Sequence, residues 1–306
     1  MSSIQYLVCL VVLTLCLVGC HPAEQRGRVH ERSAEAKTTV ILTFDDGPVS
    51  VVWRDPQRHP ASEEEMLADL RRILEVLERR GIEAVFYVVY VEADPNAPPD
   101  SPMRSPERMR AVFARGCRAI HDAGHIIAMH AVDHEMYQDA FLTTDEALDD
   151  LRRLRSELDA TSVPYARTWR IPYGGMRAVF YNPDETADMQ DITIRGWAID
   201  SQDWTVHHDA VNLLNRHYAD DRVWLENVKT TLWRDVGRHG VGADPWADVL
   251  LHVNAHTAAY LESIIRTLEE AYIQHYGATH WERVRWLRTD NPDGMDALTA
   301  YLGEKP

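Results

Sequence analysis

The chain has 306 residues, of which 45% are hydrophobic and 26% charged, a balance typical of a globular protein with a sizeable core. Its formal net charge is −16, and all of that charge lies beyond residue 20, because the segment before it includes no charged side chain. Such acidity disfavours nucleic acids and other polyanions as partners, whereas a neutral polymer is compatible with it.

The segment up to residue 20 is apolar and unlike the rest of the chain. Residues 6–19 are uncharged, too few to span a bilayer comfortably and typical of the hydrophobic region of a signal peptide. Residues 17–20 read Leu-Val-Gly-Cys, which resembles a bacterial lipobox and predicts lipidation of Cys20. An uncleaved membrane anchor is the alternative. We expect residues 1–20 to be a lipoprotein signal peptide, residues 21–38 a flexible linker, and the folded part an extracytoplasmic, membrane-anchored protein.

The most informative stretch is residues 43–48, which read Thr-Phe-Asp-Asp-Gly-Pro. The branched apolar residues 40–42 precede it and predict a short buried strand, which the Gly-Pro pair then ends. Two adjacent carboxylates, Asp45 and Asp46, therefore come at the C-terminal end of a strand. Because consecutive side chains diverge there, one could hold a metal ion while the other stays free for proton transfer. A plain turn that caps a helix is the alternative.

Strands and helices are predicted to alternate along the remainder of the chain. Apolar runs predict strands at residues 84–91, 126–129, 168–171, 192–199, 249–253 and 284–287. Amphipathic or capped segments predict helices at residues 62–80, 105–124, 143–158, 210–238 and 257–276. This alternation indicates an α/β fold with a parallel sheet and outer helices, either a barrel or an open doubly wound sheet.

Polar clusters follow the predicted strands, at the edge where this kind of fold places its chemistry. His130 and His134 follow the third strand, residues 170–174 the fourth and residues 200–204 the fifth, and His252 ends the sixth. Together with the paired aspartates, we expect these clusters to converge on one face of the sheet.

His130 and His134 are four residues apart, a spacing that places two imidazoles on one side of a helical turn. With the carboxylate of Asp46 they would form a set of two histidines and one carboxylate that leaves coordination positions open. Catalytic zinc sites have this form, and Co²⁺ or another transition metal could also occupy it. Because the chain has 15 histidines, a chance spacing is the alternative.

Other polar residues could move or hold protons beside such a metal. Asp45 could take a proton as general base, and His252 could protonate a leaving nitrogen. Arg170 could orient Asp45, and either Asp200 or Asp203 could hold His252 in its cationic form. An ordinary ion pair between Arg170 and Asp203, and a packed core histidine at position 252, are the alternatives.

Several aromatic residues could contact a sugar. Trp204, and also Tyr173 or Trp197, offer flat apolar faces of the kind on which sugars stack. Aromatic residues near a sheet more often belong to the core, which is the alternative here.

In order and spacing, the clusters resemble the five motifs of the polysaccharide deacetylase family, the carbohydrate esterase group (family 4) that contains the NodB homology domain. The resemblance covers about residues 39–276, and its most specific parts are residues 43–48 and the Arg-Ile-Pro-Tyr-Gly sequence at 170–174. It implies a distorted (β/α) barrel with inserted loops and helices over residues 39–290, followed by a C-terminal tail at 291–306. It also implies metal-dependent removal of N- or O-acetyl groups from carbohydrate.

The resemblance implies a role for individual residues. The backbone N–H of Tyr173 would help to hold the oxyanion, and we expect Trp204, Pro172, Gly174 and Leu251 to contact the substrate. The other implied roles are base for Asp45, metal ligands for Asp46, His130 and His134, orienting residue for Arg170, acid for His252, and tuning partner of that acid for Asp203 or Asp200.

The chain departs from the family pattern in three places. Ala131 and Glu135 replace a hydroxyl residue and a proline of the second motif, and Val253 stands where the family often has aspartate. The stretches 49–60, 94–102 and 205–246 are longer than a minimal domain needs and would reshape the groove. We expect a hydrolase acting on a polymer that contains N-acetylglucosamine, with an acetylxylan-type esterase or a non-catalytic carbohydrate-binding descendant as alternatives.

Overall fold

Strand β1, Thr38–Gly47, lies in the interior of a parallel sheet, and all 10 of its residues are buried. The computed structural model describes residues 38–49, 60–134, 144–174, 189–206, 221–239, 246–277 and 284–303. A branched, apolar strand that is buried on both faces is typical of a parallel sheet covered by helices. The strand expected before the two aspartates is therefore confirmed.

Seven further strands complete the sheet within the described residues. They are β2 (Ala84–Tyr90), β3 (Ile126–Val132), β4 (Thr168–Trp169), β5 (Thr193–Ile194), β6 (Ile199–Asp200), β7 (Trp246–His252) and β8 (Val284–Trp286). Their order is β5-β4-β3-β2-β1-β7-β6, all neighbours are parallel, and β8 pairs with the first three residues of β1. The sheet curls into a half-barrel with helices, which confirms the distorted (β/α) barrel.

The single strand expected at residues 192–199 is instead two short strands, β5 and β6. In the segment that joins them, the carbonyl of Gly196 accepts a hydrogen bond from Arg170 at 2.8 Å. The N–H of Ala198 donates one to Asp248 at 2.9 Å. Because these backbone groups bind side chains rather than a neighbouring strand, the ladder is interrupted. Within the described residues β5 and β6 do not pair with each other, so the barrel is incomplete.

Helices follow most of the strands, close to the predicted positions. Ser62 and Ser105 cap two of them as expected, each accepting a hydrogen bond from the backbone N–H three residues on, at 3.2 Å. The helix expected at residues 62–80 is broken at Leu67, and the first part of that expected at 210–238 lies outside the described residues. In the part of the chain that the structure describes, the α-helices are α1 (Glu63–Met66), α2 (Ala68–Arg80), α3 (Pro106–Asp122), α4 (Thr144–Thr161), α5 (Asp221–His239), α6 (Ala255–Tyr276) and α7 (Pro292–Leu302).

Helix α7 corrects the prediction that residues 291–306 form a tail. Asn291 caps it by accepting a hydrogen bond from the N–H of Gly294 at 2.8 Å, and a proline occupies its first turn. The helix then buries Leu298 and Tyr301, which join a hydrophobic cluster with residues of β1, β2 and β3, including Ile41. Residues 291–303 are therefore part of the domain, because apolar residues of the helix pack on the strands of the sheet.

The N-terminal expectations fall on residues 1–37, which lie outside the described residues. This range includes Cys20, most of the expected linker and the whole expected signal peptide, so lipidation and location stay predictions. Within the described ranges, no helix is both long enough and apolar enough to cross a bilayer.

A histidine at the start of β3 is expected to make stability depend on pH. The side chain of His125 is 5% exposed, packs with its ring centroid 5.5 Å from that of Phe86, and has no hydrogen-bond partner at either ring nitrogen. Burial lowers its pKa from 6.5 to about 4. The unfolded chain therefore binds a proton there that the folded chain excludes, so stability falls as the pH drops from about 6.5 to about 4.

We expect this one group to reduce the free energy of unfolding by about 3 kcal/mol between neutral pH and about pH 4. Urea unfolding across that range should show a smaller pH dependence for His125→Leu than for the wild type. His121→Gln is the matched control, because His121 is exposed at the end of α3. Equal pH dependence in the wild type and His125→Leu would contradict the assignment.

Candidate active site

The end of β1 separates the two adjacent carboxylates. Asp45 is in register with Tyr87 on β2 and with His252 on β7, and its carbonyl accepts a hydrogen bond from Val253 at 2.9 Å. The β1–β2 register then shifts at Asp46, whose φ of 65° is in the left-handed region. The two side chains therefore leave the strand in different directions, as expected from their position before Gly-Pro.

Asp46 lies with His130 and His134 around one point. Its Oδ1 is 3.4 Å from Nε2 of His130 and 3.2 Å from Nε2 of His134, and the three ligand atoms lie within 4.8 Å of one another. Asp46 Oδ1 is buried and accepts no hydrogen bond, since these contacts lack hydrogen-bond geometry. Burial raises the pKa of Asp46, but attraction to His134 and to the other histidines lowers it well below its usual value.

These residues fit a divalent cation. His130 Nδ1 lies 2.5 Å from the carbonyl oxygen of Arg170, an acceptor, so Nδ1 carries the hydrogen and Nε2 presents a lone pair towards Asp46. A buried anionic oxygen without a donor, beside an imidazole lone pair and a second histidine, is the donor set that transition metals prefer. Asp45 is close to this set, with Oδ2 3.7 Å from His130 Nε2, but its other oxygen is engaged elsewhere.

The two histidines meet through a turn, which corrects the expected helical geometry. His130 belongs to β3, and Asp133 and His134 then adopt left-handed φ values of 49° and 54°. Non-glycine residues rarely adopt this conformation, and the turn is held because the Asp133 N–H donates to Tyr90 and its side chain accepts from the N–H of Glu92. A sharp reversal after the strand, rather than a helical turn, brings the rings to a centroid distance of 5.0 Å.

Arg170 lies against Asp45, in the orienting position expected for it. The guanidinium is fully buried, and its Nη1 donates to Asp45 Oδ1 at 2.8 Å and to Thr43 Oγ1 at 2.7 Å. Burial lowers the pKa of Arg170, but the Asp45 carboxylate and the other nearby acidic groups raise it above its usual value. Its carboxylate partners within the described residues are Asp45 and Asp248, so the alternative ion pair with Asp203 is wrong.

His252 is paired with Asp203, and its strand, β7, is the neighbour of β1 at Asp45. Its Nδ1 is 2.7 Å from Asp203 Oδ1, so that Nε2 faces away from the carboxylate. Burial lowers the pKa of His252, but Asp203, with smaller contributions from Asp46 and Asp45, raises it to about 10. The imidazole therefore holds its proton through neutral pH. Burial raises the pKa of Asp203, but the interaction with His252 lowers it below its usual value.

Of the two aspartates that could tune His252, the structure places Asp203 in contact with it. Asp203 Oδ2 also accepts hydrogen bonds from the His252 N–H at 2.8 Å and from Thr257 Oγ1 at 2.6 Å, and Ser201 Oγ donates to Oδ1 at 3.0 Å. Asp200 instead accepts a hydrogen bond from the N–H of a neighbouring residue at 2.8 Å. Burial raises the pKa of Asp200, in contrast to Asp203.

Comparison with known proteins identifies the family of this chain. The family model for polysaccharide deacetylase matches residues 32–192, which is more than half of the chain. The chain belongs to the polysaccharide deacetylase family.

Three known proteins that resemble this chain are distant from it in sequence. YheN of Bacillus subtilis (strain 168), named as a polysaccharide deacetylase, is 25% identical over 54% of this chain and 46% of its own length, so the match spans about half of that protein. The catalytic domain of a peptidoglycan N-acetylglucosamine deacetylase from Eubacterium rectale is 18% identical over 84% of this chain and 91% of that chain, with a TM-score of 0.50. BA3943 of Bacillus anthracis, a pseudoenzyme of carbohydrate esterase family 4, is 20% identical over 83% and 68%, with a TM-score of 0.49.

The residues expected to contact substrate differ in exposure. Tyr173 is 45% exposed, with its ring centroid 4.5 Å from that of His134, and Trp204 is half-buried in the turn Asp203–Val206. Gly174 is exposed at a φ of 63°, and a Cβ there would lie 2.8 Å from the ring of Trp197. The side chains of two others face the interior, because Pro172 is buried and Leu251 is a fully buried core residue. The expected side-chain contacts of Pro172 and Leu251 with substrate are therefore both corrected.

Several residues that hold Arg170 and Asp203 in place were not predicted from the sequence motifs. The main one is Asp248, which is 4% exposed within an otherwise apolar strand. A signal for it is readable in the sequence, because positions 248, 250 and 252 share one face of a strand and a charge there has to be paired. The other residues not anticipated are Tyr87, Ser201, Thr257 and Tyr301.

Proposed function

We propose that this member of the polysaccharide deacetylase family is a metal-dependent hydrolase that removes N-acetyl groups from a carbohydrate polymer containing N-acetylglucosamine. One observation carries the proposal: three potential ligands gather at a single point, while the carboxylate of Asp45 lies beside them, outside the set. A pure binding protein has no need of a spare buried carboxylate there or of a protonated histidine nearby.

Asp46, His130 and His134 would hold the cation, with Zn²⁺ as the first choice and Co²⁺ or another transition metal as alternatives. A divalent cation held there would supply a Lewis acid that polarises the acetyl carbonyl. The donor set contains one carboxylate and two imidazoles, so it leaves room for further ligands beyond the protein.

The proton transfers fall to Asp45 and His252. Arg170 occupies Oδ1 of Asp45, so Oδ2 accepts the proton of the water that forms the new C–O bond. As the C–N bond breaks, Nε2 of His252 donates its proton to the departing nitrogen, which gives acetate and an amine. The backbone N–H of Tyr173 would donate to the oxyanion of the tetrahedral intermediate.

The protonated state of His252 favours an amide over an ester as substrate. An amine leaves only after protonation, whereas an alkoxide from a sugar ester needs this help less. The pKa of about 10 keeps the proton on His252 at neutral pH, where an amide hydrolase requires it. Acetylxylan-type ester hydrolysis is the second candidate, since it would use the same ligands and base.

Acetate release tests the proposal. Chitooligosaccharides, peptidoglycan, poly-N-acetylglucosamine and acetylxylan would each be incubated with the purified protein, with and without chelator, while bound metal is measured. We expect release from an N-acetylated polymer, loss with chelator and recovery on adding Zn²⁺. Release from acetylxylan alone would favour the esterase, and a protein that neither binds metal nor releases acetate would favour the carbohydrate-binding alternative.

Location outside the cytoplasm, with a membrane tether, is also part of the proposal. It rests on residues 1–20, whose apolar run and final cysteine are typical of a lipoprotein signal. Membrane fractionation followed by mass spectrometry of the N-terminus tests it: we expect a membrane-bound chain that begins at a lipid-modified Cys20, whereas a membrane-bound chain that retains residues 1–19 would favour the uncleaved anchor. A polymer of the cell envelope would then be within reach of the enzyme.

We expect Asp203→Asn to move the alkaline limb of the kcat profile to lower pH by about 1–3 units, since the charge that raises the pKa of His252 is removed. The measurement is kcat against pH on one N-acetylated substrate. Asp200→Asn is the matched control and should move this limb much less, because Asp203 and not Asp200 is hydrogen-bonded to the imidazole of His252. An equal shift in both variants, or none in Asp203→Asn, would refute the pairing.

A further inference from the structure

We propose that Tyr301 and Asp248 are positioning residues that hold Arg170 in the one orientation that leaves Asp45 able to accept a proton. The inference rests on the proposed function, in which Asp45 is the base. It makes helix α7, near the C-terminal end of the chain, a contributor to the active site.

The guanidinium of Arg170 is held through its two terminal nitrogens. Nη1 donates to Thr43 and Asp45, whereas Nε is buried and has no hydrogen-bond partner. The orientation of the group therefore depends on the acceptors of Nη2. These are the carbonyl of Gly196 at 2.8 Å, Asp248 Oδ2 at 3.0 Å and Tyr301 Oη at 3.1 Å.

The three acceptors of Arg170 Nη2 determine how many oxygens of Asp45 accept a hydrogen bond from the guanidinium. A guanidinium and a carboxylate that meet freely tend to form two parallel hydrogen bonds, which would occupy both carboxylate oxygens. Because the acceptors of Nη2 draw it towards Asp248, Arg170 binds Asp45 through Oδ1 alone. Oδ2 stays on the side of the histidines, 3.7 Å from His130 Nε2, where a proton acceptor is needed.

Tyr301 is rigidly placed for this task. Its side chain is 1% exposed, and its hydroxyl lies 2.7 Å from that of Tyr87 and 3.4 Å from Asp248 Oδ2. The end of α7 is fixed in turn, because the Arg195 side chain donates to the carbonyls of Ala300 and Tyr301. The hydroxyl therefore cannot move away from Arg170 without disturbing several other contacts.

Asp248 is held as firmly as Tyr301, and the ring of Tyr87 also supports the orientation of Arg170. Asp248 Oδ1 accepts the N–H of Ala198 at 2.9 Å, which directs Oδ2 to Nη2. The ring of Tyr87 lies under the guanidinium, 4.1 Å from its central carbon. The charge of Asp248, the stacked ring of Tyr87 and the hydrogen bonds of Nη2 therefore all favour the same orientation of the guanidinium.

Tyr301→Phe and Asp248→Asn test the inference, because both keep the shape of the side chain. We expect Tyr301→Phe to lower kcat about tenfold and Asp248→Asn to lower it further, with KM within about twofold of the wild type and bound metal unchanged. Tyr90→Phe is the control, since the ring of this buried tyrosine packs on Phe113, and its contact with the Asp133 turn is made by the backbone carbonyl, which the substitution keeps.

Crystal structures of the same variants supply a readout that does not need turnover. We expect the guanidinium in Asp248→Asn to rotate towards a two-bond pair with Asp45, and in Tyr90→Phe to keep the wild-type position. Wild-type kcat in Tyr301→Phe and Asp248→Asn, or a change confined to KM, would overturn the inference while the deacetylase proposal stands. If the wild type releases no acetate, the proposed function fails, and an unmoved Arg170 in Asp248→Asn would then overturn the inference separately.

Discussion

Asp45→Asn and Asp46→Asn should fail in different ways, although the two residues are adjacent. Asp45→Asn should keep its metal and lose about 10²–10⁴ in kcat, because it removes the proton acceptor but none of the ligands. Removing a residue that only hydrogen-bonds to a metal ligand typically lowers metal affinity by roughly 10–100-fold. Asp46→Asn alters a ligand itself, so its metal affinity should fall by more than that. The reason is structural, since the register shift at Asp46 sends one carboxylate to the histidines and leaves the other with Arg170.

Asparagine is the appropriate replacement at both positions. At Asp46 the backbone φ is 65°, a conformation that asparagine tolerates better than alanine, so the loss of metal would not reflect a distorted strand end. Elemental analysis of metal per chain and acetate release would be measured on the same preparations. Two variants that are equally free of metal would overturn the division of roles between the carboxylates.

His252→Ala should separate amide from ester hydrolysis. We expect kcat to fall by about 10²–10⁴ on an N-acetylated oligosaccharide, because the departing amine loses its proton donor. On an aryl acetate, whose leaving group needs no proton, the fall should stay within about tenfold. Both substrates would use the same Asp45 and the same ligands, so only the step at the leaving group differs.

The aryl ester also serves as the internal control for folding and metal content. Removing His252 leaves the buried carboxylate of Asp203 without its charged partner, so thermal unfolding of the variant should be recorded beside its kinetics. Equal losses on the two substrates would contradict the role of His252 as a proton donor to nitrogen.

The strand ends and their polar residues could be predicted from the sequence because both signals are local. The apolar run before Asp45 ends at Gly-Pro, and four of the six later runs end in a cluster with its own charged or imidazole group. In a parallel sheet such ends share one edge, so convergence follows from the fold class alone. Asp46, His130 and His134 are the clearest case, since three separate signals meet at one point.

Features that depend on distant contacts were missed or misassigned. The left-handed turn at Asp133 and His134 is stabilised by groups on β2, which a four-residue spacing does not reveal. The interruption at residues 195–198 requires Arg170 and Asp248 as partners. Helix α7 has a local signal, the Asn-Pro sequence of its cap. Its contact with Arg170, however, is made by Tyr301, 131 positions further along the chain, and no local pattern predicts it.

The direct register of Asp45 with His252 has a consequence for how such a protein can diversify. Neighbouring strands are spaced at about 4.8 Å by their backbone hydrogen bonds, so the gap between the two groups proposed to transfer protons is a property of the sheet and not of the surrounding loops. Insertions in those loops can reshape the groove for another polymer while this gap keeps its width. Under the proposed function, the spacing of the proton-transfer groups and the shape of the groove would be set by separate parts of the same chain.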